Sequence, residues 1–146
     1  MMKAIYLVLA MLVCLLQEAL IVQLYCLVTG KNMPVYLLSP LNKTDFQPLL
    51  SHLLSGVLPL LGVFVVLLIV RRQSAQIRQS AGWGSLIAAA VSFSFLILNQ
   101  WVPLIEGAKM SSTFAIGSVF TLIYTCLFAL LGGYLGARFG QMKSDG

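Results

Sequence analysis

The sequence predicts an all-α integral membrane protein with four transmembrane helices, at about 5–28, 48–70, 83–102 and 112–137. Of its 146 residues, 60% are hydrophobic and only 9% are charged, and the mean hydropathy is +0.96. Soluble domains average about 25% charged residues, and a core this small cannot hide so much apolar surface. We therefore expect lipid to be the solvent and the whole chain, 1–146, to form a single four-helix transmembrane domain.

The first predicted helix, 5–28, reads IYLVLAMLVCLLQEALIVQLYCLV. A bilayer is crossed by about 20 mostly apolar residues, so this run is long enough. It is also longer than a signal-peptide core and no A-x-A pattern follows it, which predicts an uncleaved anchor. Gln17 and Glu18 lie at its middle. A carboxylate at that depth costs roughly 2.5–3.5 kcal/mol on insertion, so Glu18 is expected to face protein or water.

The second predicted helix, 48–70, follows an outer loop, 29–47, that begins with turn residues. Pro59 interrupts the middle of this helix. Proline lacks an amide hydrogen and frees the carbonyl four residues earlier, here that of Ser55, so we expect a kink at mid-membrane. Either a hinge or a static bend fits this pattern.

The remaining two helices are separated by a short turn. A basic polar connector, 71–82, leads into helix 83–102, which is expected to end before Pro103. Helix 112–137 is followed by a short polar tail, 138–146.

The distribution of lysine and arginine predicts the orientation of the chain. Six of the nine basic residues fall on one predicted side of the membrane. They are Lys3, Arg71, Arg72, Arg78, Arg138 and Lys143. The positive-inside rule therefore places both termini and the connector in the cytoplasm. Loops this short are typical of a bacterial inner (plasma) membrane.

Small residues recur every fourth position in the last helix, at Gly132, Gly136 and Gly140. Residues at i and i+4 share one face of a helix, and small residues let two backbones approach closely in lipid. This face is predicted to pack either against another helix of the same chain or against a second copy.

Polar residues at similar predicted depth form a candidate intramembrane site. Its members are Glu18, Gln17, Tyr25, Ser92, Asn99, Tyr124 and Thr125. If the bundle is simple, they converge near the middle and the outer part of the membrane.

Catalysis is not expected from these residues. The sequence contains no paired carboxylates on one helix, no nucleophile motif and no Cys/His cluster, which predicts no enzyme activity, no cofactor and no metal site. Nucleic acid is not an expected partner, because the basic residues lie at helix ends. The expected partners are the lipid bilayer and either copies of the chain or a larger membrane complex.

Two functions fit this pattern. The favoured one is a non-catalytic multi-pass membrane protein that acts as an oligomerising or accessory subunit of a membrane complex. The alternative is a small proton- or cation-coupled transporter that uses the intramembrane carboxyl Glu18.

Overall fold

The computed structural model describes the backbone of residues 18–32, 60–109 and 114–144. Within these ranges, six side chains lie outside the description: Glu18, Ala19, Phe114, Ala115, Ser118 and Ser144. The described residues form helices and turns with no strand among them, so the all-α prediction is confirmed for this part of the chain. The helices are α1 (Glu18–Thr29), α2 (60–69), α3 (Ala75–Ile105) and α4 (Phe114–Ser144), and a 3-10 turn, Val70–Arg72, follows α2.

The chain divides into two compact units. Unit 1 comprises Met1–Val57 and Ser94–Val119. Unit 2 comprises Leu58–Phe93 and Phe120–Gly146, so it contains α2, the first part of α3 and most of α4.

Two glycines end α1 and α3 in the same way. Gly30 and Gly107 have φ angles of +66° and +96°, in the left-handed region that favours glycine. Beyond Gly30, the Lys31 amide donates to the Cys26 carbonyl at 3.0 Å, and beyond Gly107 the Ala108 amide donates to the Pro103 carbonyl at 2.9 Å. Both bonds are those of a Schellman cap, which satisfies carbonyls that the end of a helix would otherwise expose.

The third helix is longer at both ends than the predicted 83–102. It begins at Ala75, where the Ile77 amide donates to the Ser74 side-chain oxygen at 3.4 Å, so most of the predicted connector 71–82 is helical. It also continues through Pro103 to Ile105. Proline lacks the amide hydrogen that would donate to the Asn99 carbonyl, so α3 continues past Pro103 with one backbone hydrogen bond fewer.

The fourth helix, predicted over 112–137, extends to Ser144, so the predicted polar tail 138–146 is helical over most of its length. The predictions for 5–17 and 48–59, including the hinge at Pro59, lie outside the described residues.

Two of the described helices are long and apolar enough to cross a membrane. They are Ala75–Ile105 and Val119–Lys143, each with a segment of mean hydropathy 1.8. The described part of α1 contains a shorter apolar helix, Leu20–Thr29.

Candidate functional site

The glycine face of α4 lies against α3 of the same chain, within unit 2. A Cβ atom at Gly136 would lie 2.9 Å from the carbonyl carbon of Ser80 and 3.1 Å from the Cα atom of Ala81. One turn later, a Cβ atom at Gly140 would lie 2.9 Å from the Cα atom of Ile77. No side chain larger than hydrogen fits between these backbones without moving them.

The contact continues toward the middle of α4. Gly132 lies against the carbonyl group of Gly84 and the Cβ atom of Ala88. The small residues at 132, 136 and 140 are thus matched by small residues on α3, which lets the two helices approach closely.

Helix α2 packs on a neighbouring face of α4. A Cβ atom at Gly62 would lie 2.8 Å from the Cys126 carbonyl oxygen and 2.9 Å from the Ala129 Cβ. A Cβ atom at Gly133 would lie 2.6 Å from both terminal methyl groups of Val66. Within unit 2, α4 therefore packs closely against both α2 and α3 through its small residues.

Hydroxyl groups in this small-residue core are bonded within their own helices. The fully buried Thr125 hydroxyl donates to the Thr121 carbonyl at 2.7 Å. The buried Ser92 hydroxyl donates to the Ala88 carbonyl at 2.6 Å, with the Ala89 carbonyl at 3.2 Å. Bonds of this kind satisfy the hydroxyl without linking two helices. Ser85 differs, because its fully buried Oγ has no hydrogen-bond partner among the described residues.

The outward face of α4 in unit 2 carries large apolar side chains. Those at least 45% exposed are Phe120, Ile123, Tyr124, Leu127, Phe128, Leu131, Tyr134, Leu135, Phe139 and Met142. The rings of Phe120 and Tyr124 are stacked, with their centroids 6.2 Å apart. The predicted site residue Tyr124 therefore lies on the outer surface of this helix, 47% exposed.

A cleft of about 480 Å³ opens between the first turns of α3 and the last turns of α4. Ser80 and Gly136 line it where the two helices are in contact. Polar and aromatic side chains line the rest of it: Gln76, Gln79 and Trp83 from α3, and Phe139 and Lys143 from α4. These five side chains fall in or beside the predicted connector and tail, and none of them belongs to the predicted polar site. The i, i+3, i+4, i+7 spacing of 76, 79, 80 and 83 is the signal that indicates one shared helix face.

This end of unit 2 is strongly basic. Among its described residues are five cations, Arg71, Arg72, Arg78, Arg138 and Lys143, and no acid. The guanidinium carbon of Arg138 lies 5.9 Å from the ring centroid of Tyr134, a cation–π contact that orients the charge along the helix surface.

Unit 1 contains the other described members of the predicted polar site. Tyr25 is half-buried and lines a shallow apolar groove with Ser94, while Asn99 is exposed. The two Schellman caps are joined by an ion pair, in which Lys31 Nζ donates to Glu106 Oε1 at 2.9 Å. The hydrogen bond to Glu106 raises the pKa of Lys31 above its ordinary value, and the charge of that carboxylate acts in the same direction.

Two predicted site residues remain, Gln17 and Glu18. Gln17 lies outside the described residues, and of Glu18 only the backbone, which is helical, is described. In the described part of the chain, no group of three or more His, Cys, Asp or Glu side chains is placed to hold a metal ion.

Comparison of the chain with protein-family models, curated proteins and solved structures finds no match.

Proposed function

We propose that this chain is a non-catalytic, multi-pass membrane protein that serves as an oligomerising or accessory subunit of a membrane complex. In this proposal four helices cross the bilayer, both termini are cytoplasmic and the membrane is a bacterial inner membrane. The α3 and α4 spans follow the observed helices, and the other two follow the apolar runs 5–28 and 48–70.

The observation that carries this proposal is the inverted distribution of side chains on α4. Small and hydroxyl residues such as Thr125 and Ala129 are fully buried, whereas Leu127 and Phe128 are about half exposed. A water-soluble helix buries its large apolar residues and exposes its polar ones. The reverse pattern suits lipid, where helices associate through small residues and large apolar side chains face the acyl chains.

The proposed assembly surface is the aromatic part of the outward face of α4, around Phe120, Tyr124 and Phe128, and the rest of that face would contact the acyl chains. The glycine face is covered by α3 of the same chain, so a partner protein cannot bind there. The outward face combines aliphatic residues with the rings of Phe120, Tyr124 and Phe128, and aromatic residues are enriched at protein interfaces.

The topology can be tested on one helix. Starting from a chain with its three cysteines replaced, Ser74→Cys and Lys109→Cys place single thiols before and after α3, both at exposed positions. Intact cells treated with a membrane-impermeant maleimide should label the Lys109→Cys variant, and the Ser74→Cys variant only after permeabilisation. Equal labelling of both from outside would refute a span at α3.

The subunit role can be tested by purification from native membranes with a matched pair of variants. The wild-type chain should run as an oligomer or with other subunits. Phe128→Ala should shift it toward the monomer, whereas Val91→Ala, which trims an exposed residue on α3, should not. A wild-type chain that purifies alone as a monomer would refute the proposal.

A second function, a small proton- or cation-coupled transporter, is favoured by Glu18. It is the one acid within the apolar run 5–28 and belongs to an apolar helix. Intramembrane carboxyl groups often mark ion pathways. Reconstituted Glu18→Gln protein should then insert normally but lose proton-coupled flux. If the wild-type chain carries no such flux, or the variant retains all of it, Glu18 is not a coupling group.

A further inference from the structure

We propose that the cleft between α3 and α4 is a binding site for the headgroup of an anionic phospholipid. This inference rests on the proposed membrane location, but not on the subunit role. Its basis is the position, the lining and the charge of the cleft.

The position of the cleft corresponds to the headgroup level of the bilayer. It is formed by the first two to three turns of α3, where the sequence changes from the polar segment before Trp83 to the apolar segment after it. Trp83 is 38% exposed and Phe139 is 66% exposed. Aromatic rings of this kind are enriched at the membrane–water interface.

The cleft is lined partly by hydrogen-bond donors and partly by aromatic rings, and a lipid headgroup with its attached acyl chains needs both kinds of surface. Gln76, Gln79 and Lys143 supply amide and ammonium donors, which suit the oxygens of a phosphodiester. Trp83 and Phe139 supply apolar surface beside which the glycerol and the start of the acyl chains can lie. The volume of about 480 Å³ lies within the roughly 300–1,000 Å³ typical of small-molecule sites.

The charge around the cleft favours an anion over a zwitterion. Lys143 lines the cleft, and four arginines belong to the same end of unit 2, with no acid among the unit's described residues. The unit's one acid by sequence, Asp145, lies outside the described residues and leaves the basic excess at four. Basic pockets between transmembrane helices on the cytoplasmic side are recognised sites for anionic headgroups.

The test uses the tryptophan in the cleft as the reporter. The chain has two tryptophans, so Trp101→Phe leaves Trp83 alone. This protein is placed in phosphatidylcholine nanodiscs containing a small fraction of brominated phosphatidylglycerol, or the same fraction of brominated phosphatidylcholine. Trp83 should be quenched more strongly by the anionic lipid. Because Trp101 is buried, native mass spectrometry of the wild-type chain, counting retained phosphatidylglycerol, gives a second measurement.

Three variants separate a site from diffuse attraction. Lys143→Gln should lower the preference for the anionic lipid about fivefold, the factor expected for one cation at an anionic surface. Gln79→Ala, which removes no charge, should lower it roughly threefold through the lost hydrogen bond. Arg71→Gln removes an exposed cation that does not line the cleft and should have a smaller effect than Lys143→Gln.

Two outcomes would overturn the proposal. Equal effects of Lys143→Gln and Arg71→Gln, with none from Gln79→Ala, would show attraction to the surface without a site. Complete relief of the quenching by soluble glycerol phosphate would show a site for free phosphate rather than for lipid. A chain that fails to enter nanodiscs at all would instead refute the membrane location, which keeps the two failures distinct.

Discussion

Replacing Gly136 with alanine adds one methyl group where the backbones of α4 and α3 are in close contact. The nearest atoms belong to the backbone of Ser80 and Ala81, so no side chain can rotate to make room. Carbon atoms pack best at about 3.5–4.0 Å, and the new methyl group would start 2.9 Å from the Ser80 carbonyl carbon. The helices must therefore separate locally by roughly 0.5–1 Å, which forfeits a quarter to a half of the attraction across the gap.

The magnitude follows from two opposing effects. Overpacking a tight core costs about 1–3 kcal/mol, whereas alanine is favoured over glycine in a helix by up to about 1 kcal/mol. We expect Gly136→Ala to lower the free energy of unfolding by about 1–2 kcal/mol. Gly140→Ala should cost less, because a Cβ atom there meets one backbone atom at 2.9 Å and otherwise the side chain of Ser80.

The assay is equilibrium unfolding in mixed micelles with increasing SDS, followed by circular dichroism. Leu135→Phe is the matched control, because it adds volume at a neighbouring position that is 46% exposed. The control should stay within about 0.5 kcal/mol of wild type. If Gly136→Ala is as stable as the control, the close approach of α3 and α4 is wrong.

Three further predictions concern the ion pair, an unbonded hydroxyl and a cap. Because Glu106 raises the pKa of Lys31, their pairing is fully present below the ordinary lysine pKa of about 10.4 and is lost as the pH rises through the raised value. Glu106→Gln should therefore lower the pKa of Lys31 in an NMR titration, and an unchanged pKa would contradict the pair. Ser85→Ala should leave the free energy of unfolding unchanged or raise it by about 1 kcal/mol, since it removes a buried hydroxyl with no partner among the described residues; a clear loss in the same SDS titration would reveal an acceptor. Gly107→Ala should lower the free energy of unfolding by about 1–2 kcal/mol, because alanine is strained at a φ of +96°. If the variant is as stable as wild type, Gly107 does not form the helix cap described above.

The helix ends show what hydropathy can and cannot predict. The apolar run 83–102 lies within α3, but the helix is longer, from Ala75 to Ile105. Polar residues such as Gln76 and Gln79 mark the end of the apolar surface rather than the end of the helix. The sequence predicts a helix end before Pro103, but proline only disfavours helical backbone in the residue before it, and α3 continues for two residues beyond it.

The candidate site was harder to predict than the helices. A glycine every fourth residue indicates a close approach of two helices, but the spacing carries no information about which helix approaches. The contacts of Gly136 with Ser80 and Ala81 supply that information. Likewise, a serine or threonine in an apolar helix can bond to its own backbone or to a neighbour, and the sequence is the same in both cases. The hydroxyls of Ser92 and Thr125 both donate to carbonyls of their own helix.

If α3 spans a bilayer, as we propose, its length has a consequence for how the helix lies in the lipid. Its 31 residues extend about 46 Å, whereas the hydrocarbon layer is about 30 Å thick. Such a helix either tilts or projects stiffly above the lipid, and the tilt can change as the layer thickens or thins at a cost of fractions of a kcal/mol per Å. The projecting turns carry Arg78, so its charge would be held by a rigid helix and not by a flexible loop. The distance of that charge from the membrane surface would then depend on the thickness of the bilayer.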